Sequence, residues 1–162
     1  MMINKPLNFK QLKGKCGSKI DIKNYIPELY KEKIELMKMV CNNSKGVGLA
    51  SVQIGLSDHL FIAKREKFSE FETFFNTEII DKSEEYVVTT EGCLSIPGIY
   101  LPIKRHKLIS IKYFNGIDEI IEDLDEDFSV VVQHELSHLE GKTLFDLTTL
   151  NREQKREILK KV

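Results

Sequence analysis

The chain has 162 residues, of which 41% are hydrophobic and 30% charged, and its formal net charge is −1. This length predicts a single domain spanning residues 1–162. The balanced charge argues against a nucleic-acid-binding protein, no apolar run approaches a membrane span of roughly 18 residues, and the first residues lack the apolar core of a signal peptide. Three widely spaced cysteines predict no disulfide framework, which favours a cytoplasmic location.

The first part of the chain predicts an irregular segment followed by a helix. Residues 1–24 are polar and interrupted by glycine. From residue 26 to residue 41, apolar side chains recur at three- and four-residue intervals with Lys and Glu between them. This pattern predicts an amphipathic helix packed on the core, and the polar residues 42–44 predict its end.

A glycine-containing stretch occupies residues 46–55. Its structural interpretation is a turn that enters a buried strand. Its functional interpretation is that Gly46 and Gly48 let the backbone approach a ligand closely. A dinucleotide-binding fingerprint matches poorly, because the third glycine is missing and no strand precedes the stretch. Gln53 is an amide among apolar neighbours, and a buried amide needs partners, which include substrate oxygens.

The middle of the chain predicts a set of short strands. An Asn-Gly pair at residues 115–116 predicts a hairpin. The alternation of side chains and the enrichment in β-branched and aromatic residues predict strands at residues 60–63, 74–80, 85–89, 107–114 and 119–124. The short connections favour antiparallel pairing, and the order of elements predicts an α+β fold with antiparallel β-sheets.

An H-E-x-x-H motif stands at residues 134–138, inside a predicted buried helix at residues 126–139. On a helix, His134 and His138 lie on one face a turn apart and can bind one metal ion. Glu135 can then reach a water molecule at the ion. The alternative is a chance match, with both histidines hydrogen-bonded in the core or exposed to solvent.

A catalytic metal centre needs a third protein ligand, and no His or Glu follows at the spacing of the extended metalloprotease motif. Cys93 lies in residues 91–98, at the end of a predicted strand. It is either a small buried hydrophobic residue or a thiolate ligand. With His134 and His138 it makes a Cys/His/His set with one open position.

The C-terminal part predicts further short elements. Gly141 is expected to cap the helix that carries the histidines. Residues 144–147 are apolar and predict an extended segment, and residues 151–161 predict a charged terminal helix. The basic run of this helix is either a solvated face or a transient ribosomal or nucleic-acid contact.

Three motifs stand in one order: G-x-G-L-A-x-x-Q at residues 46–53, E-G-C-L-S at residues 91–95 and Q-H-E-x-x-H at residues 133–138. Together they resemble the blocks of the peptide deformylase family, and the resemblance extends from the first helix to Phe145. It implies removal of the formyl group from the N-terminal formyl-methionine of new polypeptides. It also implies antiparallel sheets around a central helix bearing both histidines, with helices at the N- and C-terminal ends.

The resemblance implies a role for each matching residue. Glu135 would be the general acid/base, and Gln53 with the backbone N–H of Leu94 would stabilise the oxyanion. The metal ligands would be Cys93, His134 and His138. The substrate groove would be lined by Gly46, Val47 and Gly48, and the pocket for the methionine side chain would be formed partly by Val47 and Val130.

The resemblance further implies one divalent metal ion, Fe²⁺ in the cell, with Zn²⁺, Ni²⁺ or Co²⁺ as alternative occupants. A thiolate ligand is consistent with iron or zinc rather than magnesium. The expected partners are N-formylmethionyl nascent peptides, with no membrane and no specific nucleic acid, and the expected state is a monomer.

One departure from the family pattern bears on the metal centre. The family usually has aspartate immediately before the second histidine, and here Ser137 stands there. The resemblance implies that in the family this aspartate pairs with an arginine at the position of Arg105. We therefore expect Arg105 to find another partner, or Ser137 to bond to it less strongly. Losing such a supporting contact typically costs about 10–100-fold in metal affinity or activity.

Two other functions compete with deformylation. A zinc endopeptidase could be built on H-E-x-x-H, although Cys93 would be an unusual third ligand. A degenerate relative could hold metal and bind formylated peptides while turning them over poorly, and Ser137 is the feature that favours it.

Overall fold

Two antiparallel sheets, with helices near both ends of the chain, form the fold, as predicted for an α+β protein. The computed structural model describes residues 4–162. Its elements in chain order are α1 Phe9–Leu12, α2 Pro27–Asn43, β1 Gly48–Ala50, β2 Leu60–Ala63, β3 Glu72–Lys82, β4 Tyr86–Cys93, β5 Ile96–His106, β6 Ile109–Phe114, β7 Glu119–Asp123, α3 Glu126–Leu139, α4 Leu144–Leu147 and α5 Arg152–Leu159.

The larger sheet has five strands in the order β1-β2-β3-β6-β7, and the smaller sheet is the hairpin of β4 and β5. The strand pairs within these two sheets are antiparallel. The predicted hairpin at residues 115–116 joins β6 to β7, with Gly116 at a φ of +96°. None of the helices in residues 4–162 is long and apolar enough to cross a membrane.

The five-stranded sheet is covered on both faces. Successive residues of a strand point to opposite faces, so the four apolar residues of β2 serve two cores. Phe61 packs in a cluster with Phe128 and Val132 of α3, and Leu60 packs in another with Met37 and Val40 of α2. Burial on both faces explains why β2 is apolar throughout rather than alternating.

Helix α3 contacts strands of both sheets, namely β1 and β2 of the larger and β5 of the smaller. Its residues Phe128, Val132, Leu136 and Leu139 recur at intervals of three or four and share one core cluster. Asp125 begins the helix by accepting a hydrogen bond from the Phe128 N–H at 2.8 Å. The helix is therefore anchored between the layers that carry the remaining site residues.

One prediction of local structure was wrong, and another was confirmed only in part. Residues 144–147 form one turn of helix rather than an extended segment, because the Asp146 carboxylate accepts a hydrogen bond from the Thr143 N–H at 2.8 Å and caps the turn. The buried strand predicted within residues 46–55 is present as β1, but it is only three residues long, and Gln53 lies after it on a 3₁₀ turn, Ser51–Ile54. Gly55, with a φ of +80°, ends that turn.

Other elements were missed or too short. Strand β5 was not predicted, because Pro97 and Gly98 indicate a turn, whereas here they lie near the start of an eleven-residue edge strand. Strand β3 is also eleven residues long and extends beyond its prediction. Residues 1–24 were predicted to be irregular. They contain α1 and a 3₁₀ turn, Ile22–Asn24, and residues 1–3 lie outside the described part.

We expect Phe74→Ala to lower the free energy of unfolding by about 3–5 kcal/mol. The Phe74 ring is fully buried and lies 4.7 Å from the Phe61 ring and 5.9 Å from the Phe128 ring, centroid to centroid. Urea unfolding measures the change. Phe68 is 92% exposed, so Phe68→Ala is the matched control and should change stability by less than about 0.5 kcal/mol. Equal effects of both substitutions would contradict this packing.

Candidate metal centre and active site

Three side chains that can bind a metal meet where β4 ends against α3. The Sγ of Cys93 lies 3.3 Å from His138 Nε2, which lies 3.1 Å from His134 Nε2. All three atoms are within 4.8 Å of one another. A tetrahedral ion with bonds of about 2.0–2.3 Å would hold its ligands about 3.3–3.6 Å apart, so this spacing fits one ion.

The hydrogen bonds of the two imidazoles orient both Nε2 atoms toward this point. His134 Nδ1 donates to Glu91 Oε2 at 2.9 Å, and His138 Nδ1 donates to the Lys142 carbonyl at 3.2 Å. These partners only accept, so Nδ1 carries the proton in each ring. The two Nε2 atoms then face each other and the Cys93 sulfur. Three electron-rich atoms this close repel one another unless a proton or a metal cation lies between them, which is an arrangement that suits a metal ion.

The electrostatics favour a thiolate at Cys93. Burial alone would raise the pKa of the Cys93 thiol, but His138 and His134 override burial and lower it to about 5. Burial likewise opposes a charge on His134, yet hydrogen bonds with Cys93 and Glu91 raise its pKa to about 10. The negative surroundings that attract a proton here also attract a divalent cation, which displaces the proton when it binds.

The end of α3 positions His138. Gly141 has a φ of +78° and follows the helix as a left-handed cap, as predicted. The Gly141 N–H bonds to the His138 carbonyl at 2.9 Å, and the Lys142 N–H bonds to the Ser137 carbonyl at 2.9 Å. This pair of bonds is a Schellman motif. It turns the chain back so that the Lys142 carbonyl reaches His138 Nδ1.

Arg105 and Glu91 form a buried ion pair behind the histidines. Arg105 donates to both carboxylate oxygens of Glu91 at 2.8 Å and to Ser137 Oγ at 2.9 Å. Both charged side chains are 6% exposed. Burial would raise the pKa of Glu91, but Arg105 and His134 lower it to about 2, so it remains a carboxylate. Glu91 is therefore the alternative partner that we expected for Arg105, because Ser137 stands where the family usually has aspartate.

Two supporting groups were missing from the predicted site. The sequence motifs assigned no role to Glu91 and none to the Lys142 carbonyl. A signal for Glu91 was present in the sequence. Residues two apart on a strand point to the same face, so a strand ending in Cys93 places Glu91 on the same side as the Cys93 side chain. The Lys142 carbonyl had no such signal, because its position depends on the geometry of the helix end.

The Glu135 carboxylate is buried and incompletely bonded. Its Oε2 has no hydrogen-bond partner among residues 4–162. Burial raises its pKa, which the neighbouring histidines partly oppose. A Cβ atom added at Gly48 would lie 2.6 Å from Glu135 Oε1. Glycine is therefore needed at position 48 for close approach to Glu135, in addition to any contact with a ligand.

The amide of Gln53 is held with its nitrogen toward the centre. Its Oε1 accepts a hydrogen bond from the Ala50 N–H at 2.9 Å. Its Nε2 lies 3.1 Å from Ser95 Oγ and 3.7 Å from Cys93 Sγ. The backbone N–H of Leu94 makes no hydrogen bond within the described chain. Two donors therefore flank Cys93.

A groove of about 1030 Å³ opens onto the centre. Its wall includes the backbone of the glycine stretch, and Val47 is 41% exposed there. The structure thus brings most of the predicted site residues to one groove, whereas Arg105, Ser137 and His138 lie behind it. The predicted residues that line the groove are Gly46, Val47, Gly48, Gln53, Cys93, Leu94, Val130, His134 and Glu135.

Comparison with known proteins identifies the family. The family model described as polypeptide deformylase matches residues 8–155. This chain belongs to that family. The peptide deformylase of Borreliella burgdorferi is 37% identical over 147 residues, which cover 90% of this chain and 85% of that protein. Peptide deformylase 1 of Clostridium perfringens is 37% identical over 137 residues, which cover 83% of this chain and 89% of that protein.

Solved deformylase structures share the fold. The Thermotoga maritima peptide deformylase superposes with a TM-score of 0.81 at 29% identity, covering 93% of this chain and all of that one. The Synechococcus elongatus enzyme superposes with a TM-score of 0.87 at 23% identity, covering 99% of this chain and 86% of that one. Deformylases are metal-dependent hydrolases. The matches support deformylation and neither of the two competing functions.

We expect Glu91→Gln to weaken metal affinity by about 10–100-fold, because His134 Nδ1 loses its charged acceptor. Competition with a chromophoric chelator measures the affinity. Removing one charge from a buried pair also destabilises the fold. The double variant Glu91→Gln/Ser137→Asp gives Arg105 a new carboxylate, so it should recover stability while metal affinity stays low.

The matched control for that experiment is Glu85→Gln, at a side chain that is 74% exposed and paired with Lys107. It should leave metal affinity unchanged. If Glu91→Gln also binds metal as tightly as the unsubstituted protein, the hydrogen bond to His134 does not support the ligand.

We expect Gly48→Ala to reduce the turnover number by up to about 100-fold, because the new Cβ displaces the Glu135 carboxylate and small misplacements at a reacting centre are costly. Metal content should be unchanged, since the three atoms nearest to a Cβ at position 48 all belong to Glu135 and not to Cys93, His134 or His138. Formate release and metal analysis on the same sample separate the two effects. Unaltered turnover would show that Glu135 does not depend on this close contact.

Proposed function

We propose that the Cys93–His134–His138 cluster is the catalytic metal centre of this deformylase and that Glu135 is its general acid/base. One observation carries the proposal: three converging ligand atoms lie on the wall of a groove beside a buried carboxylate whose Oε2 has no hydrogen-bond partner among residues 4–162. A bound divalent ion supplies Lewis-acid polarisation and water activation in such a site.

The residues around the ion would carry out the proton transfers and stabilise the developing negative charge. Glu135 accepts a proton from the attacking water and passes it to the leaving amine nitrogen. Its raised pKa suits this role, because it makes the carboxylate a stronger base and brings its titration nearer to neutral pH, where it can both take up and release a proton. The Gln53 amide nitrogen and the Leu94 N–H donate hydrogen bonds to the formyl oxygen as negative charge develops there. The Gln53 amide is already oriented by the hydrogen bond that it accepts from the Ala50 N–H, so this donor requires little reorganisation.

The groove would hold the substrate by its backbone and its first side chain. The chain at Gly46, Val47 and Gly48 offers backbone groups along one wall. Val47 and Val130 give apolar surface for the methionine side chain, and removing that side chain from water favours binding. Recognition through backbone groups suits an enzyme whose substrates share only their first residue.

Ferrous iron is the ion that we propose for the cell, with zinc, nickel or cobalt as substitutes. The thiolate of Cys93 is a soft ligand and the imidazoles are borderline, which favours these metals over magnesium or calcium. Each of these four ions accepts the same three ligands.

We further propose that the enzyme acts as a monomer in the cytoplasm, where nascent formylated chains and reduced thiols coexist. All three cysteines are free. Helix α5 presents Arg152 and Arg156 to solvent, and these two cations suit a transient contact with ribosomal RNA.

Iron-loaded protein should release formate from a formyl-Met-Ala-Ser peptide under anaerobic conditions. Glu135→Gln keeps all three metal ligands, so it should retain metal and lose about 10²–10⁴ of the rate. A formate dehydrogenase assay measures the product. An unformylated peptide is the control for the endopeptidase alternative and should stay intact.

Two results would contradict the proposal. Metal-loaded protein that binds the formylated peptide without releasing formate would favour the binding protein. Cleavage of an internal bond in the unformylated peptide would favour the endopeptidase.

A further inference from the structure

The charged side chains that line the groove are buried on its floor and exposed at its rim. Glu91, His134 and Glu135 line the floor and are largely buried. Glu91 is neutralised by Arg105. The exposed charged side chains that line the groove are both lysines, Lys5 and Lys45. Residues 1–3, which precede this part of the chain, contain no acidic residue. The accessible charge of the rim is therefore positive.

The backbone holds both lysines beside the groove. Lys45 follows α2 in a left-handed conformation with a φ of +56°, and its N–H bonds to the Asn42 carbonyl at 3.0 Å. It directly precedes the glycine stretch of the wall. Lys5 lies on the N-terminal segment, which is bonded to the site two residues later, where the Leu7 N–H donates to the Gln53 carbonyl at 2.7 Å.

Neither lysine is neutralised by a neighbour. Within residues 4–162, no carboxylate lies within 4.0 Å of the Lys5 or Lys45 ammonium group. Asp127 is the exposed acidic residue that is nearest in sequence to the part of α3 that lines the groove. Asp127 itself does not line the groove. The whole chain carries a net charge of −1, so the positive potential at the rim is local.

We infer that this enzyme prefers formylated peptides that carry an acidic side chain downstream of the methionine. The inference rests on the proposed function and concerns which nascent chains the same groove takes. An exposed lysine and a carboxylate attract each other modestly, and two lysines together should favour glutamate over lysine in the substrate by about threefold to tenfold at low salt.

The preference should be in KM rather than in the turnover number. The lysines lie at the rim, and nothing they contact changes charge when the formyl group leaves. They bind the substrate and the transition state equally, which lowers KM without changing turnover. Salt should weaken the preference, because exposed charges are screened over about 10 Å at 0.1 M ionic strength.

The experiment compares formyl-Met-Ala-Xaa-amide and formyl-Met-Xaa-Ala-amide peptides, with Xaa as Glu, Gln or Lys. The amide removes the C-terminal carboxylate, which would otherwise add a negative charge to every peptide. Formate release gives KM and the turnover number for the metal-loaded enzyme at low salt and at 1 M salt. The expected order of kcat/KM is Glu, then Gln, then Lys, converging at high salt.

Variants locate the effect. The double variant Lys5→Ala/Lys45→Asn should lose the preference while keeping its turnover number, and asparagine tolerates the left-handed conformation at position 45. Lys45→Glu should reverse the order. Lys31→Glu is the matched control for Lys45→Glu, because it changes the net charge by the same amount. Lys31 is exposed on α2, about 18 Å along the helix from the end that precedes Lys45, so this variant should keep the preference for glutamate.

The outcomes separate the inference from the proposed function. Formate release at equal kcat/KM for Glu and Lys peptides, or a preference for Lys, overturns the inference and leaves deformylation standing. The same loss of preference in Lys31→Glu also overturns it, since the net charge would then be responsible. Release from none of the peptides overturns the proposed function and this inference with it.

Discussion

The arrangement of the site depends on the buried pair of Arg105 and Glu91. Each charge is expensive to bury alone, and the pair is tolerated because two parallel hydrogen bonds and further partners satisfy it. Glu91 also accepts from His134, and Arg105 also donates to Ser137. The pair therefore joins the β4–β5 hairpin to α3. Since the hairpin supplies Cys93 and the helix supplies the histidines, the same contacts hold the three proposed metal ligands together.

The scaffold around this pair is stiff for a separate reason. The five-stranded sheet is buried on both faces, with α2 on one side and α3 on the other. A helix packed against strands of two sheets cannot shift without opening both cores, and close-packed interiors resist such displacements. This rigidity lets Gly48 approach the Glu135 carboxylate so closely. A preorganised site requires such support, because its donors and its base must already be in position when charge develops.

Most of the secondary structure could be predicted from patterns within a few residues. The helix at residues 26–41, strand β2 and the hairpin of β6 and β7 follow from periodicity and turn residues. The errors came where local signals conflict. Pro97 and Gly98 indicate a turn, yet they occupy an edge strand that pairing with β4 stabilises. Residues 144–147 are too few to show a helical periodicity, and their helical turn depends on the capping contact of Asp146.

The sequence by itself determined the family, the order of the three motifs and the identity of the groups that face the groove. The residue types carry the chemistry, and a four-residue spacing on a helix places two imidazoles on one face. Only the tertiary structure decided that Glu91 serves both Arg105 and His134, that the Lys142 carbonyl orients His138, and that exposed lysines stand at the rim. These contacts join elements distant in sequence or depend on the path of a helix end, and no local pattern encodes them.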